Sequence, residues 1–196
     1  MQIEANGSVF NCRVDGEHGP WVMLSHGLAT DLSMWDELTA ALKDRYRVLR
    51  YDARGHGASA APAGDYTLDM LVTDAIGILD VVGAAQTHFT GLSMGGMIGL
   101  GMLIHHPKRM KSAVIADSRH TTQPEFTEAW LKRADVVRNG GIESIVKSTV
   151  SRWSSAGLVE RNPATVARME AMIRRTSVNG YCGCAAALAA SWPCPK

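Results

Sequence analysis

The stretch that decides the fold is residues 91–97, Gly-Leu-Ser-Met-Gly-Gly-Met, in which one serine stands between glycines. The pattern predicts a strand before it, over residues 87–90, and a helix after it, over residues 94–105. A turn of this kind holds a serine at the carboxyl end of a strand and directs its hydroxyl into the crevice there. Ser93 is therefore a candidate nucleophile. The alternative is a glycine-rich turn that only packs tightly.

The backbone around Ser93 offers donors for a developing negative charge. The predicted helix directs its amino terminus at the serine, so the N–H of Met94 and the positive end of the helix dipole favour an oxyanion there. A second donor in such sites comes from the loop after an earlier strand, here residues 25–28, Ser-His-Gly-Leu. The N–H of Leu28 is the candidate. His26, beside it, is either a base or a structural residue that hydrogen-bonds nearby loops.

Apolar runs rich in β-branched residues alternate with segments of helical period along the first 120 residues. This alternation favours an α/β fold with a largely parallel sheet, opened by a hairpin that turns at Asn6-Gly7. The predicted strands are residues 3–4, 9–14, 21–24, 46–51, 87–90 and 112–116. The predicted helices of this part are one capped by Ser33, with Trp35, Leu38 and Leu42 on its apolar face, then residues 67–82 and 94–105.

From residue 121 onward the strand pattern disappears and helical segments follow, over residues 124–138, 142–153 and 163–177. Helices inserted after a parallel sheet predict a lid over the strand ends. We expect a core over residues 1–120, a helical lid over residues 121–190, and a short tail, residues 191–196, that is not native to the fold.

Composition excludes several classes of function. The chain has 196 residues, 46% of them apolar, with 20 basic and 19 acidic residues and a net charge of +1. Such a balance produces no field that would gather nucleic acid or an anionic membrane. Neither a signal peptide nor an uncharged run of about 18 residues is present, so we expect a soluble cytoplasmic protein that binds neither nucleic acid nor membrane.

Four cysteines, Cys12, Cys182, Cys184 and Cys194, follow neither a zinc spacing nor a disulfide framework. They are expected to be reduced structural thiols, and no metal site is predicted.

The order of these motifs resembles the α/β-hydrolase superfamily. It runs from a strand and His-Gly, through Asp-Ala-Arg-Gly-His-Gly at residues 52–57, to the serine turn. Residues 51–57, 91–97 and 180–186 resemble 3-oxoadipate enol-lactonases, and the likeness extends to about Ala190. The resemblance implies that Ser93 attacks the carbonyl of a small-molecule ester or lactone, that an acyl-enzyme forms, and that water hydrolyses it without a cofactor.

The resemblance also implies a catalytic acid and then a histidine late in the chain. Here the last of seven histidines is His120. His105 and His106 lie about 18 Å along the predicted helix from Ser93, too far to serve it. Asp117 and His120 remain as the candidate acid and base, provided that both reach hydrogen-bonding distance.

The missing histidine and the six strands predict a truncated or frameshifted family member. The strand at residues 112–116 is then an uncovered edge, a candidate surface for self-association. Two functions stay open: a serine hydrolase of the enol-lactonase or esterase kind, and a catalytically deficient hydrolase-fold protein that only binds or has no function.

Other residues carry weaker signals. Trp130 and Trp153 of the lid either shape a substrate pocket or belong to the core. Arg174 and Arg175 either meet substrate carboxylates or face solvent. Asp52 and Arg54 are expected to be structural, as the resemblance implies.

Overall fold

A computed structural model of the chain describes residues 1–121 and 123–190. Its centre is a six-stranded sheet in the order β1-β2-β4-β3-β5-β6. The strands are β1 Gln2–Ala5, β2 Ser8–Asp15, β3 Trp21–Ser25, β4 Arg47–Tyr51, β5 Thr87–Leu92 and β6 Met110–Ala116. The first hairpin is antiparallel and β2 pairs antiparallel with β4, whereas β4, β3, β5 and β6 are parallel. All six predicted strands are confirmed.

The hairpin turn follows from its two residues. Asn6 has φ 45° and Gly7 has φ 67°, both in the left-handed region that an Asn-Gly turn between twisted strands requires. The turn pairs Ala5 with Ser8 and carries β1 to one edge of the sheet.

Helices cover both faces of the sheet. The helices of the core are α1 Asp36–Leu42, α2 Leu68–Val81 and α3 Met94–His105. On one face α3 packs against β5 and β6, and α2 packs beside it against β1. On the other face Val22, Leu24 and Val48 form a separate cluster with apolar side chains of the α1 region. The side chains of β3 alternate between the two faces of the sheet, and both sets are buried, as expected for a central parallel strand.

The predicted cap of the first helix is wrong. Asp31, not Ser33, is the capping residue, because its carboxylate accepts a hydrogen bond from the N–H of Ser33 at 2.9 Å. The chain first makes a short 3₁₀ helix, Leu32–Trp35, and the α-helix begins only at Asp36.

The second part of the chain is helical, as predicted, but its elements are divided differently. They are α4 Pro124–Gly140, a 3₁₀ helix Ile142–Ile145, α5 Val146–Trp153, α6 Ala156–Arg161, α7 Pro163–Arg174 and α8 Val178–Ala189. The helix expected over residues 163–177 ends at Arg174, since Ser177 caps α8 by accepting from the N–H of Gly180 at 2.8 Å. Neither α6 nor α8 is predicted from the sequence.

Helix α8 joins the lid to the core. It packs along α4, and its Gly180 lies directly against Gly55 of the loop after β4. The N–H of Tyr66 also donates to the carbonyl of Gly183 at 3.1 Å. These close backbone approaches leave no room for a side chain at Gly55 or Gly180.

Strand β6 is an edge of the sheet, and Val114 on it is 59% exposed. The exposed apolar edge expected for residues 112–116 is therefore present in the part of the chain that the structure describes. The proposed tail, residues 191–196, lies outside the described residues.

Candidate active site

Ser93 lies in a sharp turn between β5 and α3. Its backbone has φ 54° and ψ −113°, a conformation that residues with a Cβ rarely adopt. The N–H of Ser93 donates to the carbonyl of Ala116 at 2.9 Å, and its carbonyl accepts from the N–H of Met97 at 3.0 Å. The hydroxyl of Ser118 donates to the same Ser93 carbonyl at 2.8 Å, so three hydrogen bonds hold the strained residue.

The glycines of the motif are required by close backbone contacts. A Cβ on Gly95 would overlap the carbonyl oxygen of Ser25, and a Cβ on Gly91 would overlap the carbonyl of Gly95. The turn thus draws the start of α3 against the end of β3, which is how the loop after β3 comes to lie beside the serine.

Ser93 opens into a cavity of about 740 Å³. Gly27 and Leu28 form one wall, and a Cβ added to Gly27 would lie 3.6 Å from the Cβ of Ser93. In residues 1–121 and 123–190, neither the N–H of Leu28 nor that of Met94 donates to a protein acceptor. The two expected oxyanion donors thus come from the loop and the helix start that flank the serine.

His26 is fully buried and bonds to backbone. Its Nε2 accepts from the N–H of Ala53 at 2.8 Å, and its Nδ1 donates to the carbonyl of Gly27 at 2.8 Å. Both ring nitrogens are therefore used by the loops, which supports the structural reading of this histidine over that of a base.

The structure does not bring the candidate acid and base together. Asp117 lines the cavity beside Ser93 and has φ 46°, whereas His120 is exposed and does not line the cavity. Among the described residues, no hydrogen bond joins Asp117 to His120 or either of them to Ser93. His105 is at the far end of α3, with its Nε2 3.8 Å from Asp69.

The two lid tryptophans both line the cavity. Trp130, on α4, is half-buried and also packs against the main hydrophobic core. Trp153, at the end of α5, is 38% exposed. Trp130 therefore lines the cavity and also packs on the core, whereas Trp153 lines the cavity, and a role of either residue in substrate binding stays a prediction.

Sequence reasoning missed a positive lining of the cavity. Among the residues that the structure describes, one acidic residue, Asp117, and four arginines line it: Arg119, Arg133, Arg152 and Arg168. Arg168 lies 3.6 Å from Glu37, and the guanidinium of Arg133 stacks over Trp130 at 4.8 Å. In the described part of the chain neither Arg133 nor Arg152 forms an ion pair with a carboxylate.

Arg133 and Arg152 lie near each other although they come from different helices. The pKa of Arg152 is lowered, first by desolvation in the cavity wall and second by the positive charge of Arg133. The spacing of Trp130 and Arg133, one turn apart on a helix, is the one sequence signal that could have indicated a shared face.

The other arginine pair does not reach the cavity lining. Arg174 forms ion pairs with Glu143 at 2.8 Å and Glu170 at 3.0 Å, and Arg175 pairs with Asp31 at 2.6 Å. The idea that these two arginines meet a substrate carboxylate is therefore not supported, because protein carboxylates already occupy them.

The loop after β4 is structural, as expected. The carboxylate of Asp52 accepts from the N–H of Leu32 at 2.8 Å and of Ala58 at 2.9 Å. Arg54 forms a buried ion pair with Asp74 at 2.6 Å. These bonds tie the loop to its neighbours and leave both side chains outside the cavity lining.

The remaining expectations concern the cysteines, a metal site and membrane-spanning helices. Cys12, Cys182 and Cys184 are free and buried, and Cys194 lies outside the described residues. Residues 1–121 and 123–190 hold no cluster of His, Cys, Asp or Glu that fits a metal ion. No helix within the same residues is long and apolar enough to cross a membrane.

The structure thus places a strained serine at the end of the fifth strand of a largely parallel sheet that has helices on both faces. The family model described as alpha/beta hydrolase fold matches residues 20–139, and the chain belongs to this family. The expected fold and family are thereby confirmed.

Two curated relatives come from Acinetobacter baylyi. 3-Oxoadipate enol-lactonase 2 is 38% identical over 87% of this chain and 63% of its own length. 3-Oxoadipate enol-lactonase 1 is 34% identical over 96% of this chain and 70% of its own length. The chain thus spans less than two thirds of the first relative and slightly more than two thirds of the second.

A solved structure, the enol-lactonase from Burkholderia xenovorans, superposes with a TM-score of 0.93 at 36% identity. The match covers 97% of this chain and 74% of that structure. The backbone of this chain is therefore similar to that of a solved enol-lactonase over nearly its whole length.

Proposed function

We propose that this chain provides the acylation site of a serine hydrolase that opens a carboxylic ester or lactone carrying a negative charge. The observation that carries the proposal is the strained Ser93 on the cavity wall, beside the N–H groups of Leu28 and Met94, which donate to no acceptor among the described residues. Such donors stabilise the charge that develops on a carbonyl oxygen under attack.

The proposed reaction is nucleophilic acyl transfer through Ser93. The Ser93 hydroxyl oxygen bonds to the carbonyl carbon and its proton passes to a base, while the carbonyl oxygen becomes an oxyanion held by Leu28 and Met94. Collapse breaks the carbon–oxygen bond of the ester, the leaving oxygen takes a proton, and an acyl-Ser93 remains. Water then attacks the acyl group and restores the serine.

The negative charge of the substrate is proposed from the arginines. Arg133 and Arg152 lie in the cavity wall without carboxylate partners among the described residues, although the whole chain is almost neutral. A guanidinium binds a carboxylate through charge-assisted hydrogen bonds, which makes it a suitable partner for the far end of an acid-bearing lactone. The names of the relatives, 3-oxoadipate enol-lactonases, agree with such a substrate.

A second candidate function is binding without turnover. It is favoured by the absence of any hydrogen bond between the Ser93 hydroxyl and a histidine in residues 1–121 and 123–190. Asp117 stays a candidate acid because it lines the same cavity. In this alternative the cavity holds a small organic anion and Ser93 is not activated.

The experiment that separates the two is the intact mass of the protein after exposure to a fluorophosphonate, with Ser93→Ala as the control. One adduct that the control lacks supports an activated serine. No adduct on a folded protein, together with calorimetric binding of glutarate, would support the binding protein and overturn the hydrolase.

A further inference from the structure

The loop that carries Leu28 is held by two buried histidines, one on each side of the donor. His26 lies just before the loop on the chain, and His56 comes from the loop after β4. Both are fully buried, and their ring centroids lie 5.1 Å apart. Neither is part of the acylation chemistry proposed above.

The peptide between Gly27 and Leu28 is oriented through its carbonyl. That oxygen accepts from Nδ1 of His26 at 2.8 Å, from the hydroxyl of Thr30 at 2.8 Å and from the N–H of Thr30 at 3.3 Å. In a trans peptide the C=O and the N–H point in opposite directions. Fixing the carbonyl on the protein side therefore turns the N–H of Leu28 to the other side.

The next peptide is fixed by His56. The N–H of Ala29 donates to Nε2 of His56 at 3.1 Å, and Nδ1 of His56 donates to the carbonyl of Arg54 at 3.0 Å. Ala29 has φ 64°, a left-handed conformation that is unfavourable for a residue with a Cβ and persists only when its surroundings hold it. The bond to His56 supplies such a restraint at the residue after Leu28.

Both histidines need the same protonation state for this arrangement. Each accepts a backbone N–H at Nε2, so that nitrogen carries no proton, and each donates from Nδ1 to a backbone carbonyl. A ring protonated on Nε2 would direct a hydrogen at the N–H of Ala53 or Ala29 instead of accepting from it.

We infer that His26 and His56 are positioning residues for the oxyanion donor, which hold the N–H of Leu28 toward Ser93 as neutral imidazoles protonated on Nδ1. The inference rests on the proposed function, since it assigns the two rings a part in acylation. They act through the loop and do not touch the substrate.

The kinetic experiment compares His56→Leu with His56→Gln, using hydrolysis of 4-nitrophenyl acetate and the rate of Ser93 phosphonylation. Loss of one oxyanion donor lowers kcat by about 100-fold or more, with KM nearly unchanged. We expect this for His56→Leu, and recovery of most of the rate in His56→Gln, whose amide oxygen accepts the Ala29 N–H. The control is His88→Gln, because His88 contacts Ser112 at the other end of β5.

The result that would overturn the inference is a folded His56→Leu protein with unchanged kcat, or a His56→Gln protein as slow as His56→Leu. A second measurement needs no variant: the ¹⁵N spectrum of the imidazoles in the unaltered protein at neutral pH. Nδ1–H tautomers for both rings support the inference, and an Nε2–H ring or an imidazolium overturns it. If the unaltered protein shows neither turnover nor phosphonylation, the proposed function is overturned. The tautomers of the two histidines are measured independently of that activity.

Discussion

Arg175 at the end of α7 forms an ion pair with Asp31, the capping residue of the loop after β3, with the closest atoms 2.6 Å apart. Asp31 is 3% exposed, and burial raises its pKa, but hydrogen bonds from Ser33 and Arg175 outweigh this effect and leave the pKa lowered. Arg175 of the helical lid thus pairs with a buried carboxylate in the segment after the loop that carries Leu28. Without this partner the buried charge of Asp31 is unfavourable.

Replacing Arg175 by alanine is expected to destabilise the protein. The change leaves the Asp31 carboxylate buried with fewer partners, which costs about 1–3 kcal/mol in the free energy of unfolding. Urea unfolding of Arg175→Ala measures it. Arg174→Ala is the matched control, since the neighbouring arginine pairs only at the surface, and an equal loss in both variants would contradict the special role of Asp31.

Arg133 and Arg152, two cavity arginines without a carboxylate partner among the described residues, are expected to select anionic substrates. Arg133→Gln and Arg152→Gln each remove a charged donor, which should raise KM for mono-4-nitrophenyl glutarate by about tenfold or more. KM for 4-nitrophenyl valerate, of the same chain length without the carboxylate, should change little. The measurement is the ratio of the two KM values in each variant.

The control for this prediction is Arg138→Gln, on the same helix as Arg133 but paired with Asp135 and outside the cavity lining. A similar change in the KM ratio for the control would attribute the effect to overall charge. An unchanged ratio in both cavity variants would contradict recognition of a carboxylate by these residues.

The parts of the site that were predicted are those that depend on local sequence. Ser93 and Met94 sit on a turn whose glycines and flanking periods are adjacent in the chain, so the strand, turn and helix are all confirmed. The order of the motifs predicts Leu28 as the second oxyanion donor, and the structure places this residue in the wall of the same cavity as Ser93, while its role stays a prediction. A neighbouring loop residue, Asp31, was missed as a helix cap because Ser33 offered the same signal two residues later.

The lid was harder to predict because its residues meet only in three dimensions. Arg133 and Arg152 face one cavity through the packing of two helices, which no local period encodes. Helix α8 was missed because its residues are almost all small and buried, so that it presents no polar stripe to define a helical face. The role of His56 depends likewise on a contact with Ala29, 27 positions earlier.

The buried histidines predict a dependence of stability on pH. Burial is the main reason that the pKa of His56 is lowered to about 3. The charge of His26 lowers this pKa further, whereas the hydrogen bond to the carbonyl of Arg54 and the charge of Asp31 raise it.

The pKa of His26 is lowered as well, mainly by burial. The hydrogen bond to Gly27 and the charges of Asp52 and Asp31 raise this pKa but do not outweigh the burial. The unfolded chain therefore binds protons that the folded chain does not as the pH falls below about 6.5.

Stability should accordingly fall with decreasing pH, by about 1.4 kcal/mol per pH unit for each such histidine, between about pH 6 and pH 4. Urea unfolding of the unaltered protein and of His56→Gln at several pH values measures the two slopes. In His56→Gln the free energy of unfolding is expected to depend less steeply on pH, by the equivalent of about one bound proton. Parallel lines for the two proteins would show that His56 is charged in the folded state.

The last prediction concerns the base that Ser93 requires. His120 is exposed and does not line the cavity, whereas Asp117 lines it beside the serine. We therefore expect His120→Gln to leave the rate of Ser93 phosphonylation unchanged within about twofold, since general-base catalysis requires contact at about 3 Å. The rate is measured by intact mass over time, with Ser93→Ala as the blank. A loss of about 100-fold or more in His120→Gln would show that the segment after β6 moves to bring this histidine to the serine.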